Sequence, residues 1–239
     1  MGTIRLYLKH PLAAGQAVPL EPAQAHYLSG VMRQGPGALI EVFNGHDGAW
    51  SARIEAVSKR GGNLTALEQA APQRDPPDLW LMFAPIKKAR TDFIVEKAAE
   101  LGAARILPVL TDHTNAERVR QDRLQAHAVE AAEQCGGTSV PEVTDAQPLP
   151  RLLDGWDKNR RILWPDEAAA GVATRLDGLP AGPWAILTGP EGGFSDTERN
   201  RLRSLDFVTR ISLGPRILRA DTAAVAALTL WQAALGDWG

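Results

Sequence analysis

The sequence predicts an α/β protein preceded by a small β-rich domain. Three features carry that expectation. Residues 1–72 hold short apolar runs separated by turn residues. A proline-rich, charged stretch, Pro72-Gln73-Arg74-Asp75-Pro76-Pro77-Asp78, reads as a linker. Beyond it, apolar strands alternate with helical patterns, the signature of a parallel sheet. The expected domains are therefore 1–72 and 73–239.

In the first domain, Ile4, Leu6 and Leu8 alternate with the period of a strand. Pro22, followed by Ala25, Leu28 and Met32, predicts one helix that ends near Gly35. Leu39 to Phe43 is a strand, Asn44-Gly45-His46-Asp47-Gly48 a turn, and Trp50 to Val57 the returning strand. Leu64 to Leu67 adds another, and short strands around turns predict a small β-barrel.

In the second domain, Leu79 to Ala84 is apolar and a helix capped by Thr91 or Asp92 carries Ile94, Ala98 and Leu101 on one face. Arg105 to Leu110 is a strand, Arg120 to Cys135 a helix stopped by Gly136-Gly137, and Leu149 to Trp156 another helix. Ile162 to Trp164, Trp184 to Leu187 and Val208 to Leu213 are strands. Thr222 to Leu235 is a helix so apolar that it is buried in a core or against a partner.

Composition narrows the class. The chain has 239 residues, enough for a sizeable core, with 44% hydrophobic and 23% charged residues. No apolar run approaches a membrane span, and MGTIRLYLKH lacks the core of a signal peptide, so the reading is a soluble cytoplasmic protein. The lone Cys135 is expected as a buried small hydrophobe, and five scattered histidines offer no metal-ligand spacing. Net charge is −2, so any nucleic-acid signal lies in the distribution of charge. Residues 199–219 hold six arginines against one acid, Asp206. Arg199, Arg201 and Arg203 are expected on a solvated helix face, whereas Arg216 and Arg219 sit in a loop of functional character.

Two loops organise the second domain. Thr188-Gly189-Pro190-Glu191-Gly192-Gly193-Phe194 and Leu213-Gly214-Pro215-Arg216-Ile217-Leu218-Arg219 each follow a strand and precede a helix. Such a junction leaves backbone N–H groups free for a ligand. Neither loop matches a nucleotide-phosphate motif, and Glu191 would repel a phosphate. A carboxylate with apolar flanks suits a cationic or zwitterionic ligand.

GPEGGFSDTE (189–198) followed by LGPRILRADTAAVAAL (213–228) resembles the C-terminal signature of the SPOUT methyltransferases. It is most similar to the family that methylates N3 of a uridine in small-subunit ribosomal RNA. RLYL, HYLSGVMR, KKARTDFIVEKAAELGAARILPV and AEQCGG extend the resemblance along the chain. The resemblance implies a PUA-like RNA-binding domain, then a SPOUT domain with a deep trefoil knot, a homodimer paired through that domain, and 16S rRNA in the small ribosomal subunit as partner. No metal and no membrane are implied. Asp221 stands where the family usually has Glu, and Cys135-Gly136-Gly137-Thr138 where it often has basic residues.

The implied cofactor is S-adenosylmethionine, held by three loops: Trp164-Pro165-Asp166-Glu167 and the two glycine loops. Its contacts are expected from Leu163, Leu187, Thr188, Gly189, Gly193, Leu213, Gly214, Ile217 and Leu218. Arg219, Asp221 and Glu191 are the candidate catalytic residues, with Arg219 stabilising a uracil anion and Asp221, doubling as helix cap, orienting it. Arg5, Arg33, Lys87, Lys88, Arg90 and Arg216 are the expected RNA contacts. Ribose 2′-O-methylation and a non-catalytic RNA-binding assembly factor are the alternatives. A hydrolase would want a G-x-S-x-G elbow, which is missing from the sequence.

Overall fold

The computed structural model describes residues 3–115, 119–169, 176 and 178–238. Contacts divide the chain into two units: Met1–Asp75 with Ala132–Val140, and Pro76–Ala131 with Pro141–Gly239. The first unit thus takes in a stretch, 132–140, that the sequence reading assigned wholly to the second domain.

The first unit contains β1 (Arg5–Tyr7), β2 (Ala17–Leu20), α1 (Pro22–His26), β3 (Leu39–Phe43), β4 (Ala49–Ser58) and β5 (Gly61–Ala71). Its sheet has the order β1-β3-β4-β5-β2, with β1 parallel to β3 and the other pairings antiparallel. Alternation sends Ile40, Val42, Ile54 and Leu64 inward to Leu28 in one apolar cluster. The single helix expected from Pro22 is shorter: α1 passes into a π-helical turn, Tyr27–Val31, and Arg33 leaves it at φ 53, in the left-handed region. Asn44 closes the β3–β4 turn by accepting from the N–H groups of His46 and Asp47 at 3.0 and 2.8 Å. Gly48 is required there, because a Cβ would stand 2.3 Å from the carbonyl oxygen of Ala71.

Two expectations fail in this unit. Arg5 is not a surface RNA contact. Its side chain is 11% exposed, and it donates to Glu41 at 2.5 Å and to the carbonyls of Ala132 and Gly137 at 2.9 and 2.8 Å. A guanidinium so buried and so committed ties a strand to a helix end instead of presenting itself to a phosphate. Cys135 is exposed rather than buried, as the last residue of a helix.

The second unit contains β6 (Leu79–Phe83), α2 (Lys88–Glu100), β7 (Arg105–Leu110), most of α3 (Gln121–Cys135), β8 (Glu142–Val143), β9 (Gln147–Pro148), α4 (Leu149–Asp154), β10 (Arg161–Pro165), β11 (Trp184–Thr188), α5 (Asp196–Arg203), β12 (Val208–Ile211) and α6 (Ala220–Leu235). Among the described residues the sheet runs β12-β10-β11-β6-β7-β8, β9 also pairs with β7, and every pairing is parallel. All five residues of β11 are buried, as a parallel strand covered on both faces requires. Ala185 and Leu187 join a core with Trp164, Phe194, Leu153 and Leu202, contributed by the flanking strand, loop and helices α4 and α5. Helix α6 packs on α2 and β11, burying Ala224, Ala227, Leu228 and Trp231. Its one buried amide, Gln232, is satisfied by donating to the carbonyl of Leu101 at 2.6 Å.

Two helix starts differ from the sequence reading. Helix α2 begins at Lys88, and Thr91 is no cap: its hydroxyl bonds the backbone of Ile86. Helix α6 begins at Ala220 with Arg219 at the capping position, so Asp221 lies inside the first turn. None of the helices formed by the described residues is long and apolar enough to cross a membrane.

Candidate active site

Register decides where the loops go. Pro165 of β10 stands beside Ile211 of β12, and Thr188 of β11 beside Phe83 of β6. The chain therefore leaves β10, β11 and β12 from the same edge of the sheet, the carboxyl edge at which open α/β sheets bind ligands. The three departing segments line one cavity of about 510 Å³, a size typical of small-molecule sites.

The segment after β10 is pinned by Asp166. Its side chain is 0% exposed and meets three guanidiniums: Arg199 at 2.9 Å, Arg210 at 2.8 Å and Arg203 at 3.6 Å. Arg199 also bonds Glu167 and donates to the carbonyl of Phe194 at 3.0 Å, which joins this segment to the first glycine loop. Burial pulls the Arg199 guanidinium down, but the hydrogen bond and charge of Glu167, with Asp166 and Asp196, outweigh it and hold the pKa above its ordinary value. Arg199 is therefore no solvated-face residue, and Arg203 shares its buried anchor. Arg201 alone of the three pairs outward, with Asp154 at 2.6 Å.

In the first glycine loop, a Cβ on Gly189 would meet the Phe194 ring at 2.8 Å, so only glycine lets that ring fold back under the loop. Phe194 is held in turn edge-on against Trp164, ring centres 5.9 Å apart. Gly193 has φ 67, and beyond it Ser195 caps α5 in a capping box with Glu198. The loop is braced from outside: Asp112 accepts from the Ser195 hydroxyl at 2.5 Å, and the His113 ring lies 3.0 Å from the Gly192 carbonyl. In the second loop, the N–H of Gly214 donates to the Ser212 hydroxyl at 3.2 Å, with φ 101 at the glycine. Gly214 to Ile217 are exposed, and Ile217 is 87% exposed while lining the cavity. An isoleucine so placed is an apolar wall open to a ligand.

Of the residues expected at a cofactor, Thr188, Gly189, Gly193, Leu213, Gly214, Ile217 and Leu218 line the cavity. Leu163 and Leu187 do not: both are 0% exposed within a parallel sheet covered on both faces. Glu191, Arg216, Arg219, Lys87 and Arg90 also line the cavity. Lys88 is exposed beside it, and Arg33 belongs to the first unit. Asp221 pairs not with Arg219, as expected, but with Arg90, whose Nε lies 3.8 Å from its carboxylate. Sequence reading missed the arginine cage of Asp166 and the Asp112 and His113 brace. No cluster of three or more metal-ligating side chains occurs among the described residues.

Comparison with known proteins fits this geometry. The family model described as an RNA methyltransferase domain matches residues 73–232, and that of an RNA methyltransferase PUA domain matches residues 20–66. The ribosomal RNA small subunit methyltransferase E of Synechocystis is 30% identical, with 88% of this chain and 71% of that protein covered. Its namesake from Rickettsia conorii is 29% identical over 94% and 93% of the two chains. The crystal structure of the Neisseria gonorrhoeae enzyme of that name, bound to S-adenosylmethionine, superposes with a TM-score of 0.89 at 27% identity and covers 100% of both chains. A methyltransferase of Legionella pneumophila with the same cofactor bound also gives 0.89, at 29% identity over 99% of this chain and 100% of that one. This chain belongs to the RNA methyltransferase family whose members include the proteins named ribosomal RNA small subunit methyltransferase E.

Proposed function

We propose that this protein transfers a methyl group from S-adenosylmethionine to N3 of one uridine in 16S ribosomal RNA. The observation that carries the reading is the convergence of three loops on one cavity lined by Arg219, Glu191 and Arg90, the last of which pairs with Asp221. The cavity fits the cofactor's chemistry. Open glycine-loop backbone can meet adenine and ribose, Ile217 and Leu218 offer apolar wall, and the carboxylates of Glu167 and Glu191 favour a zwitterion carrying a sulfonium. Bound there, S-adenosylmethionine supplies an electrophilic methyl group.

The protein's own task concerns the acceptor. Uridine N3 carries a proton at neutral pH, so the proton must leave as the bond forms or the imide anion must be stabilised. Arg219 hydrogen-bonds a uracil carbonyl in this reading, which its exposure at the capping position of α6 supports. Asp221 or Glu191 accepts the proton, directly or through water. Arg216 and Lys87, which line the cavity, and the exposed Lys88 next in the chain serve as phosphate contacts. Arg33, left-handed and exposed, is the corresponding contact on residues 1–72, which supply RNA affinity without cofactor binding.

The same reading includes a trefoil knot through the loops after β10, β11 and β12, and its support is the strand order in which the last strand lies beside β10. It includes a twofold dimer, supported by Leu230 at 41% and Trp238 at 52% exposure on and after α6. The setting is the cytoplasm, on the small subunit.

The test is mass spectrometry of ribosomal RNA nucleosides from cells lacking the protein. Loss of one 3-methyluridine is expected; loss of a 2′-O-methylated nucleoside would reassign the reaction, and no loss would refute it. Calorimetry with S-adenosylmethionine should show one site per chain, abolished by Gly214→Val.

A further inference from the structure

We propose that Arg90 is a positioning residue for this transfer: its guanidinium holds Glu191 and Asp221 together as one assembly beside Arg219. The inference rests on the methyl-transfer reading above and assigns Arg90 a task other than gripping RNA. Arg90 lies in the first turn of α2 and lines the cavity. Its Nη1 donates to Glu191 at 2.9 Å, and its Nε stands 3.8 Å from Asp221. Glu191 belongs to the loop after β11 and Asp221 to the first turn of α6, so one side chain joins two walls that the backbone does not connect.

Three physical points favour positioning over phosphate binding. The first is anchorage: the next residue, Thr91, is buried and bonds both the N–H and the carbonyl of Ile86 at 3.0 Å, and α2 packs on α6. The guanidinium therefore extends from a fixed post. The second is valence. A planar guanidinium presents five N–H donors in a rigid fork and can serve two carboxylates at once, which an ammonium on a flexible stem does poorly. The third is charge. Two carboxylates beside Arg90 repel a phosphate, whereas Lys87, Arg216 and Arg219 form no ion pair with any described residue and face the same opening uncommitted. Without Arg90, Glu191 and Asp221 would repel each other and the proton acceptor would drift from the uracil edge.

The experiment is steady-state kinetics of Arg90→Lys and Arg90→Met on ribosomal substrate, with cofactor affinity measured by calorimetry and RNA binding across a salt series. Positioning predicts that kcat falls about tenfold or more in both variants, the scale of a misplaced proton-transfer group. KM for RNA and the cofactor Kd stay within about twofold, since ground-state binding is untouched. Arg90→Met added to Glu191→Gln with Asp221→Asn should cost little more, because residues that act as a unit are not additive. A phosphate contact predicts the reverse: kcat unchanged, KM raised, a salt slope smaller by about one, and substantial rescue by lysine. That pattern, or no change in any parameter, overturns the proposal. Should Arg90→Met fail to fold, Arg90→Lys alone separates the two outcomes. If the unmodified protein neither binds S-adenosylmethionine nor methylates RNA, the functional reading has failed and not this one.

Discussion

Two clusters near the cavity use the same chemistry in opposite proportions. Asp166 is one buried acid among three guanidiniums, at 0% exposure. Arg90 is one base between two acids, and the three side chains are 30%, 49% and 18% exposed. In the first, solvent cannot reach the carboxylate to replace a lost guanidinium, so the cluster fixes where the segment after β10 lies. In the second, water can replace a partner, so the contacts add little to stability. Burial of the carboxylate, rather than the kind or number of ion pairs, separates the scaffold cluster from the one proposed to act on the substrate.

The largest effect should come from the sealed cluster. Asp166→Ala is expected to lower unfolding free energy by about 3 kcal/mol, the low end for breaking a buried pair, because two of its three guanidiniums reach solvent. Urea denaturation measures it, and a loss no greater than that of Glu191→Gln would erase the distinction. At the open cluster the damage should be kinetic. Arg219→Ala is expected to cut kcat about 10²-fold while unfolding stability and cofactor Kd hold, and Asp221→Asn to cost less because the amide keeps an acceptor. If Asp221→Asn is as damaging and flattens the pH–rate profile, Asp221 is the base.

The smallest effect lies outside both clusters and calibrates them. The Leu12 N–H and then the Asn44 amide hold the half-buried Asp47 carboxylate below its ordinary pKa of 3.8. A depressed folded pKa means that its contribution to stability is full above the ordinary value and lost as pH falls through the lowered one. Asp47→Asn should therefore destabilise the first unit slightly near neutrality, with the gap to the unmodified protein closing below pH 3.8. A gap that widens in acid would contradict the hydrogen bonds around this turn.

Much of this was legible in the chain because it is written locally. Gly189, Gly193 and Gly214 announce their loops through spacing, and strands such as Arg105–Leu110 through composition. Features written over long separations were not. Arg199 and Arg203 read as a solvated run because their anchor, Asp166, is more than thirty residues away and carries no mark of burial. Leu163 and Leu187 look like ligand contacts by position along the chain, but both faces of this parallel sheet are covered, so their side chains are buried whichever way they point. Helix α2 has no side chain capping its start, so Thr91, the nearest capping type, drew the boundary too late.

The strand order also carries a cost in time. Strand β6 stands in the middle of the sheet, yet its partner on one side, β11, comes about a hundred residues later, as Leu79 pairs with Trp184. At a synthesis rate of about 5–20 residues per second, β6 waits roughly 5–20 s with one edge open. LWLMF is apolar and carries no charge, the kind of segment most prone to pair with the wrong edge. Completion of the cavity must wait as well, because β12 and the start of α6 emerge later still. For close to half of its synthesis the nascent chain thus carries an apolar strand with one edge open, and shielding that edge during translation is the burden this topology sets.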